Sequence, residues 1–187
     1  MERFIREFIK VSRLLNAENL TFGYTGNMSR RVKDGLIITR RGANLRALEP
    51  EDLIFIGPGR EVLEPYASSE LPVHREVLKS AGALLHCHAP ASLELSYLLD
   101  RIVPPDYEGL KALGRVPVLS LKEPSASREL AEALKKHLKE RGCLVVRAHG
   151  LFCAAGSLEE AFYLASLLES SSRLLLPKLR GGSLGAS

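Results

Sequence analysis

The sequence contains no tryptophan and no glutamine, and only four asparagines among its 187 residues. Sparse side-chain amides beside abundant Glu and Arg are the composition of proteins that work hot, so a thermophilic source is expected. Cysteine is nearly missing as well. Three thiols are odd in number and too few for a disulfide framework, which points to a reducing compartment, the cytoplasm. Nowhere do about 18 apolar residues run together, so no membrane-spanning helix is expected. Charges of both signs interrupt the apolar positions of the opening segment MERFIREFIKVSRLL, unlike the core of a signal peptide. No glycine fingerprint of a dinucleotide or P-loop site follows a predicted strand.

What is present is globular: 45% hydrophobic and 26% charged residues, with a net charge of +4. The length suits one domain with a substantial core. The positive excess is spread along the chain instead of clustering, so no nucleic-acid partner is expected.

Apolar spacing predicts an amphipathic helix over 2–16, then a polar, Gly-containing loop over 21–27. Met28–Arg31 and Leu36–Thr39 flank a tight turn at Asp34-Gly35, a two-strand signal. A third strand is expected at Leu53–Ile56, then a helix capped by Ser68 or Ser69 and running to about Ala81. Strands at Ala83–His88, Val116–Leu121, Cys143–Arg147 and Leu151–Ala154 alternate with helices from Pro90 to Leu99 and from Ser127 to Arg141. Ser157 and Glu160 form a capping box for a last helix that Pro177 ends. The expected fold class is α/β of the α+β type, a central, mostly antiparallel sheet covered by helices. It forms one domain over 1–180, with a flexible tail at 181–187.

Chemistry concentrates in His86-Cys87-His88 at the end of an apolar strand. Side chains alternate along a strand, so His86 and His88 share a face and Cys87 points to the other. Two imidazoles so placed can chelate one metal ion, or can simply be structural. His149, which follows another strand, is a candidate third ligand; three imidazoles leave a tetrahedral zinc one open position. Ser68-Ser69-Glu70 at a helix start suits an anion beside a carboxylate, and equally an ordinary cap. Thr25-Gly26-Asn27 allows close backbone approach to a ligand, or is a plain turn. His74 falls in a helix one turn after Glu70, and His137 in a basic, solvated stretch; neither is assigned a role. The cysteines read as small buried residues.

Taken in order, these pieces resemble the class II aldolase/adducin family, and within it the fuculose-1-phosphate aldolase-like branch. The resemblance runs from Thr25-Gly26-Asn27-Met28-Ser29 through Leu36-Ile37-Ile38-Thr39-Arg40-Arg41-Gly42, Glu51-Asp52-Leu53, Ser68-Ser69-Glu70 and His86-Cys87-His88 to His149-Gly150-Leu151. It implies one Zn2+ per subunit held by His86, His88 and His149. Glu70 would ligate the free metal and act as acid/base once substrate displaces it. Gly26, Asn27, Gly42, Ser68 and Ser69 would hold the substrate phosphate, and Tyr107 would reach a neighbouring subunit's site in a homotetramer. The reaction implied is reversible cleavage of a short ketose 1-phosphate to dihydroxyacetone phosphate and an aldehyde through a metal-stabilised enediolate. A 4-epimerase or a ketose-phosphate dehydratase could use the same ligands, and an adducin-like interaction domain would need none of them. Two departures stand out. Arg41 replaces the small hydroxyl residue common before the glycine, and could grip the phosphate as a charged fork or signal an altered substrate head. The longer C-terminal tail with a further tyrosine is missing.

Overall fold

The computed structural model describes residues 1–181. One eight-stranded sheet organises the chain, with strands in the order β3-β2-β1-β4-β8-β7-β6-β5. They are β1 (Asn27–Val32), β2 (Gly35–Thr39), β3 (Leu53–Ile56), β4 (Ala83–Cys87), β5 (Arg101–Ile102), β6 (Val116–Leu119), β7 (Gly142–Val146) and β8 (Gly150–Ala155). Every pairing is antiparallel except β6 with β7. The expected mostly antiparallel sheet is therefore the observed one.

Among the described residues six helices cover the two faces: α1 (Glu2–Ala17), α2 (Leu71–Val77), α3 (Pro90–Leu98), α4 (Tyr107–Leu113), α5 (Arg128–Leu138) and α6 (Leu158–Gly181). Central strands buried on both sides read as continuous apolar runs, and β4 and β8 are buried at every position. On one face Leu85, Cys87, Val145 and Cys153 pack with Phe8, Val11 and Leu15 of α1 and Leu164 and Leu168 of α6. On the other, Leu84, Leu144, Phe152 and Ala154 pack with Val73 and Val77 of α2 and Leu130 and Leu134 of α5. Cys87 thus faces one layer while its neighbours Leu84 and His86 belong to the opposite side, as alternation requires. Among the described residues, no helix is long and apolar enough to cross a membrane.

The structure corrects several sequence expectations. Helix α2 is short: Glu70, not Ser68 or Ser69, occupies its N-cap, and it ends at Val77, not near Ala81. The Ser68 carbonyl still accepts from the Leu71 amide in the preceding turn. Strand β6 stops at Leu119 and α5 at Leu138, where Lys139 turns left-handed at φ +36°. Pro177 does not end α6, which continues to Gly181. One missing N–H near a helix end removes a single ladder bond, and neighbours on both sides hold their turn. Gly181 therefore belongs to the helix, and the expected tail lies otherwise outside the described residues. The Ser157–Glu160 cap forms with a shifted partner: the Glu160 amide donates to Ser157 Oγ, while the Glu160 carboxylate accepts from Gly156 N. Helix α4, the two-residue β5 and 3-10 turns at Pro50–Asp52 and Glu61–Tyr66 were not expected; each is too short to impose a readable period.

Candidate active site

Strand β4 delivers His86, and His88 follows one residue beyond its end. His149 comes from the three-residue link between β7 and β8, beside them because β4 and β8 are paired. Their potential ligand atoms all lie within 4.8 Å of one another. His86 and His88 approach Nε2 to Nε2 at 3.2 Å, and the His86 ring stacks on Phe152 with centroids 4.1 Å apart.

The link is built for this convergence. Ala148 takes a left-handed φ of +60°, a conformation that costs a residue with a Cβ about 1 kcal/mol. Gly150 admits no side chain, since a Cβ there would meet His86 Cε1 and the Cys87 carbonyl at 2.8 Å and His88 Cδ2 at 3.2 Å. Gly26 is similarly constrained, at φ +84° and with its would-be Cβ 2.6 Å from the His86 carbonyl.

The donor chemistry fits a divalent metal ion. The Leu151 carbonyl lies 3.2 Å from His86 Nδ1 and receives its proton, leaving Nε2 bare toward the other imidazoles, the usual arrangement for a ligating histidine. His149 Nδ1 is buried and has no hydrogen-bond partner among the described residues. Burial, followed by the neighbouring His149 and His88, holds His86 well below its ordinary range. Burial with His149 also lowers His88 to about 4, against an upward pull from Glu70. Neutral imidazoles are the form that binds metal.

Glu70 is 2% exposed. Its carboxylate accepts from Asn27 Nδ2 at 2.9 Å, Ser125 Oγ at 3.3 Å and the Ala126 amide at 3.4 Å. Glu70, Asn27 and Ser125 line a cleft of about 200 Å³ together with Tyr24, Thr25, Gly26, Arg40, Arg41, Gly42, Ser68, Ser69, His86, His88 and His149. Two larger grooves, about 510 and 620 Å³, run along α2 and α5 among surface ion pairs and contain none of the histidines.

At the mouth, Arg40 is committed to Asp52 at 2.5 Å. The Arg41 guanidinium makes no ion pair or hydrogen bond among the described residues. Arg30 and Arg31 turn away, to Glu7 and Gly82 O and to the Leu78 and Lys79 carbonyls.

The structure brings together ten of the eleven residues singled out from the sequence. Tyr107 is the exception: it begins α4, is 71% exposed and does not line this cleft. His137 is exposed and Cys87, Cys143 and Cys153 are buried free thiols, as expected. Burial pushes the Cys87 thiol up, which suits packing and not nucleophilic work.

His74, given no role from sequence, lies fully buried directly behind the cleft. Its ring nitrogens sit 2.5 Å from Ser29 Oγ and from Asn27 Oδ1. The i to i+4 spacing from Glu70 was the available signal, because it puts both on one side of α2. Ser125 and Tyr24 were also missed; they come from loops without a motif.

A helix-covered mixed sheet that brings three imidazoles and a buried carboxylate into one polar cleft has the arrangement of a metal-assisted enzyme. Residues 6–176 match the family described as Class II Aldolase and Adducin N-terminal domain, and the chain belongs to that family. It is 30% identical over 186 residues to L-fuculose phosphate aldolase of Escherichia coli O6:H1 (strain CFT073), covering 96% of this chain and 86% of that one. It is also 30% identical over 165 residues to 5-methylthioribulose-1-phosphate/5-deoxyribulose-1-phosphate aldolase of Rhodospirillum rubrum, covering 86% of this chain and 75% of that one. Among solved structures, L-fuculose-1-phosphate aldolase from Thermus thermophilus superimposes with a TM-score of 0.86 at 36% identity, covering all of both chains. Family, relatives and fold agree on an aldolase.

Proposed function

We propose that this protein is a zinc-dependent aldolase that reversibly cleaves a short ketose 1-phosphate into dihydroxyacetone phosphate and an aldehyde. In this reading it works in the cytoplasm as a homotetramer with one Zn2+ per subunit. The observation that carries the proposal is the convergence of three imidazoles beside Glu70 in a cleft whose rim holds Arg41, a guanidinium with no partner among the described residues. The relatives support the substrate class, since those named above are aldolases of ketose phosphates that differ beyond the phosphate-bearing end.

His86, His88 and His149 would hold the metal, with Glu70 as a fourth ligand before substrate enters. Bound there, the ion supplies a Lewis acid for the ketone and its neighbouring hydroxyl. Glu70 exchanges a proton with the carbon next to the ketone, a role that suits a buried carboxylate at the cleft floor. Gly26, Gly42, Ser68 and Ser69 receive the phosphate, and the second amide hydrogen of Asn27 remains for a ligand while the first is bound to Glu70. Arg41 adds a charged fork. Phosphate binding away from the reacting carbons turns binding energy into orientation.

Tyr107 assists proton transfer at the aldehyde of a neighbouring subunit. Its exposure supports this, as do the exposed apolar side chains Leu110 on α4, Tyr97 on α3 and Tyr163 on α6.

The test combines metal analysis of purified protein with an assay of dihydroxyacetone phosphate release from a panel of ketose 1-phosphates. One zinc per chain and turnover that disappears in Glu70→Gln and His88→Ala are expected. A folded, metal-free protein without turnover overturns the proposal. Formation of a dicarbonyl product replaces it with a dehydratase.

A further inference from the structure

We infer that His74 is a positioning residue: wedged between Ser29 and Asn27, it fixes the orientation of the Asn27 amide and through it the Glu70 carboxylate. The inference rests on the reading of Glu70 as the proton-transfer group.

The elements make the wedge possible. Asn27 and Ser29 are two residues apart on β1 and so share a face, while Met28 between them belongs to the core of the other layer. His74 lies one turn into α2 from Glu70 and covers that face. The imidazole is wholly buried, with a partner 2.5 Å from each ring nitrogen.

Only one assignment of protons satisfies the whole chain. The NH2 end of Asn27 donates to Glu70 Oε2 at 2.9 Å, since a carboxylate oxygen accepts. Oδ1 of the same amide then faces His74 Nε2, which must carry the hydrogen. Burial keeps the ring neutral by lowering its pKa to about 4, so Nδ1 is bare and accepts from the Ser29 hydroxyl. The chain therefore runs in one direction: Ser29 to His74 to Asn27 to Glu70.

Reversing the amide would set its oxygen against the Glu70 carboxylate and would require the other His74 tautomer. The remaining bonds to Glu70, from Ser125 and Ala126, are longer at 3.3 and 3.4 Å. The Asn27 contact is thus the tightest hold on Glu70, and His74 decides which way it points.

Two variants and one spectrum test this. His74→Leu keeps bulk and removes both bonds; kcat is expected to fall about 10- to 100-fold, the scale of a displaced catalytic group. Metal content should stay near wild type, and KM should change less than kcat, because Asn27 is only one of several contacts offered to the phosphate. His74→Gln, whose amide N–H can reach Asn27, is expected to recover most of the kcat lost. Equal losses in both variants, wild-type kcat in a folded His74→Leu, or a loss confined to KM or metal content would overturn the inference.

Long-range nitrogen–proton NMR of the metal-free protein should show the His74 proton on Nε2, and a proton on Nδ1 overturns the inference whether or not either variant folds. The spectrum does not depend on turnover. A wild-type protein that cleaves no ketose phosphate therefore refutes the reaction while the tautomer still decides the role of His74.

Discussion

At the scale of single residues, the site depends as much on a missing side chain as on those present. Gly150 has no Cβ, and one added there would lie 2.8 Å from His86 Cε1 with the Cys87 carbonyl at the same distance. The Cys87 carbonyl is backbone, so the end of β4 as well as the imidazole rings would have to shift. Gly150→Ala is expected to stay folded by circular dichroism yet lose metal affinity at least ~10-fold, comparable to disturbing the surroundings of a metal ligand. Metal titration checks this, and a variant that binds like wild type would show that the rings have slack. Arg41 poses the opposite case, a charge at the cleft mouth with no partner among the described residues. Arg41→Ala is expected to raise KM for phosphorylated substrates about 10-fold, the worth of one charge-assisted contact. Its kcat should change little, because the group acts far from the reacting carbons. Steady-state kinetics separates the two parameters.

At the scale of elements, the strand that carries His86 and leads into His88 is tied to the layer behind it through a buried carboxylate. Helix α3 begins two residues after His88, and its first amides need acceptors. Glu169 of α6 provides them, accepting from Ala91 N and Ser92 N at 2.9 Å and from Ser92 Oγ at 3.0 Å, while only 2% exposed. Glu169→Gln turns one of the two accepting oxygens into an NH2 group that faces an N–H donor. It is expected to destabilise the fold by about 1–3 kcal/mol, read from the urea midpoint. The same element shows what the sequence could and could not reveal. His86, His88 and Cys87 were legible because strand alternation is local, and so was the shape of the hairpin around Asp34-Gly35. Glu169 was not legible, because α6 and α3 meet 77 residues apart in the chain. His74 was half legible: the helical spacing from Glu70 is in the sequence, but its partners Asn27 and Ser29 arrive by sheet pairing. The N-cap was misplaced by one or two residues because Ser68, Ser69 and Glu70 can each close a first turn, and packing chooses among them.

At the scale of the whole molecule, buried neutral histidines make stability depend on pH. His74 and His88 titrate near 4 in the folded chain, lowered first by burial, against about 6.5 when unfolded. Between those values the unfolded chain binds protons that the folded chain does not, so stability falls as pH falls from about 6.5 toward 4. Metal-free protein should lose up to about 1.4 kcal/mol per pH unit for each such histidine. Urea unfolding at pH 7 and pH 5 measures it, and equal midpoints would contradict the neutral assignments. Assembly makes the largest claim, because Tyr107 is 71% exposed and lines no part of its own chain's cleft. If it serves a neighbour in a closed ring of four, damage to the metal site and to Tyr107 can be placed on different subunits and still complement. A Tyr107→Phe subunit keeps its metal ligands, and a His88→Ala subunit keeps its tyrosine. Each homotetramer alone should be weak. Unfolding the two together in equal amounts and refolding them with zinc places intact halves side by side in half of the interfaces around each Tyr107→Phe site. Activity should then rise to roughly a quarter of wild type per total subunit, since half the chains carry a working metal site and half of those gain a tyrosine. A tyrosine acting within its own chain predicts no gain on mixing, and so does a tyrosine that only packs the interface.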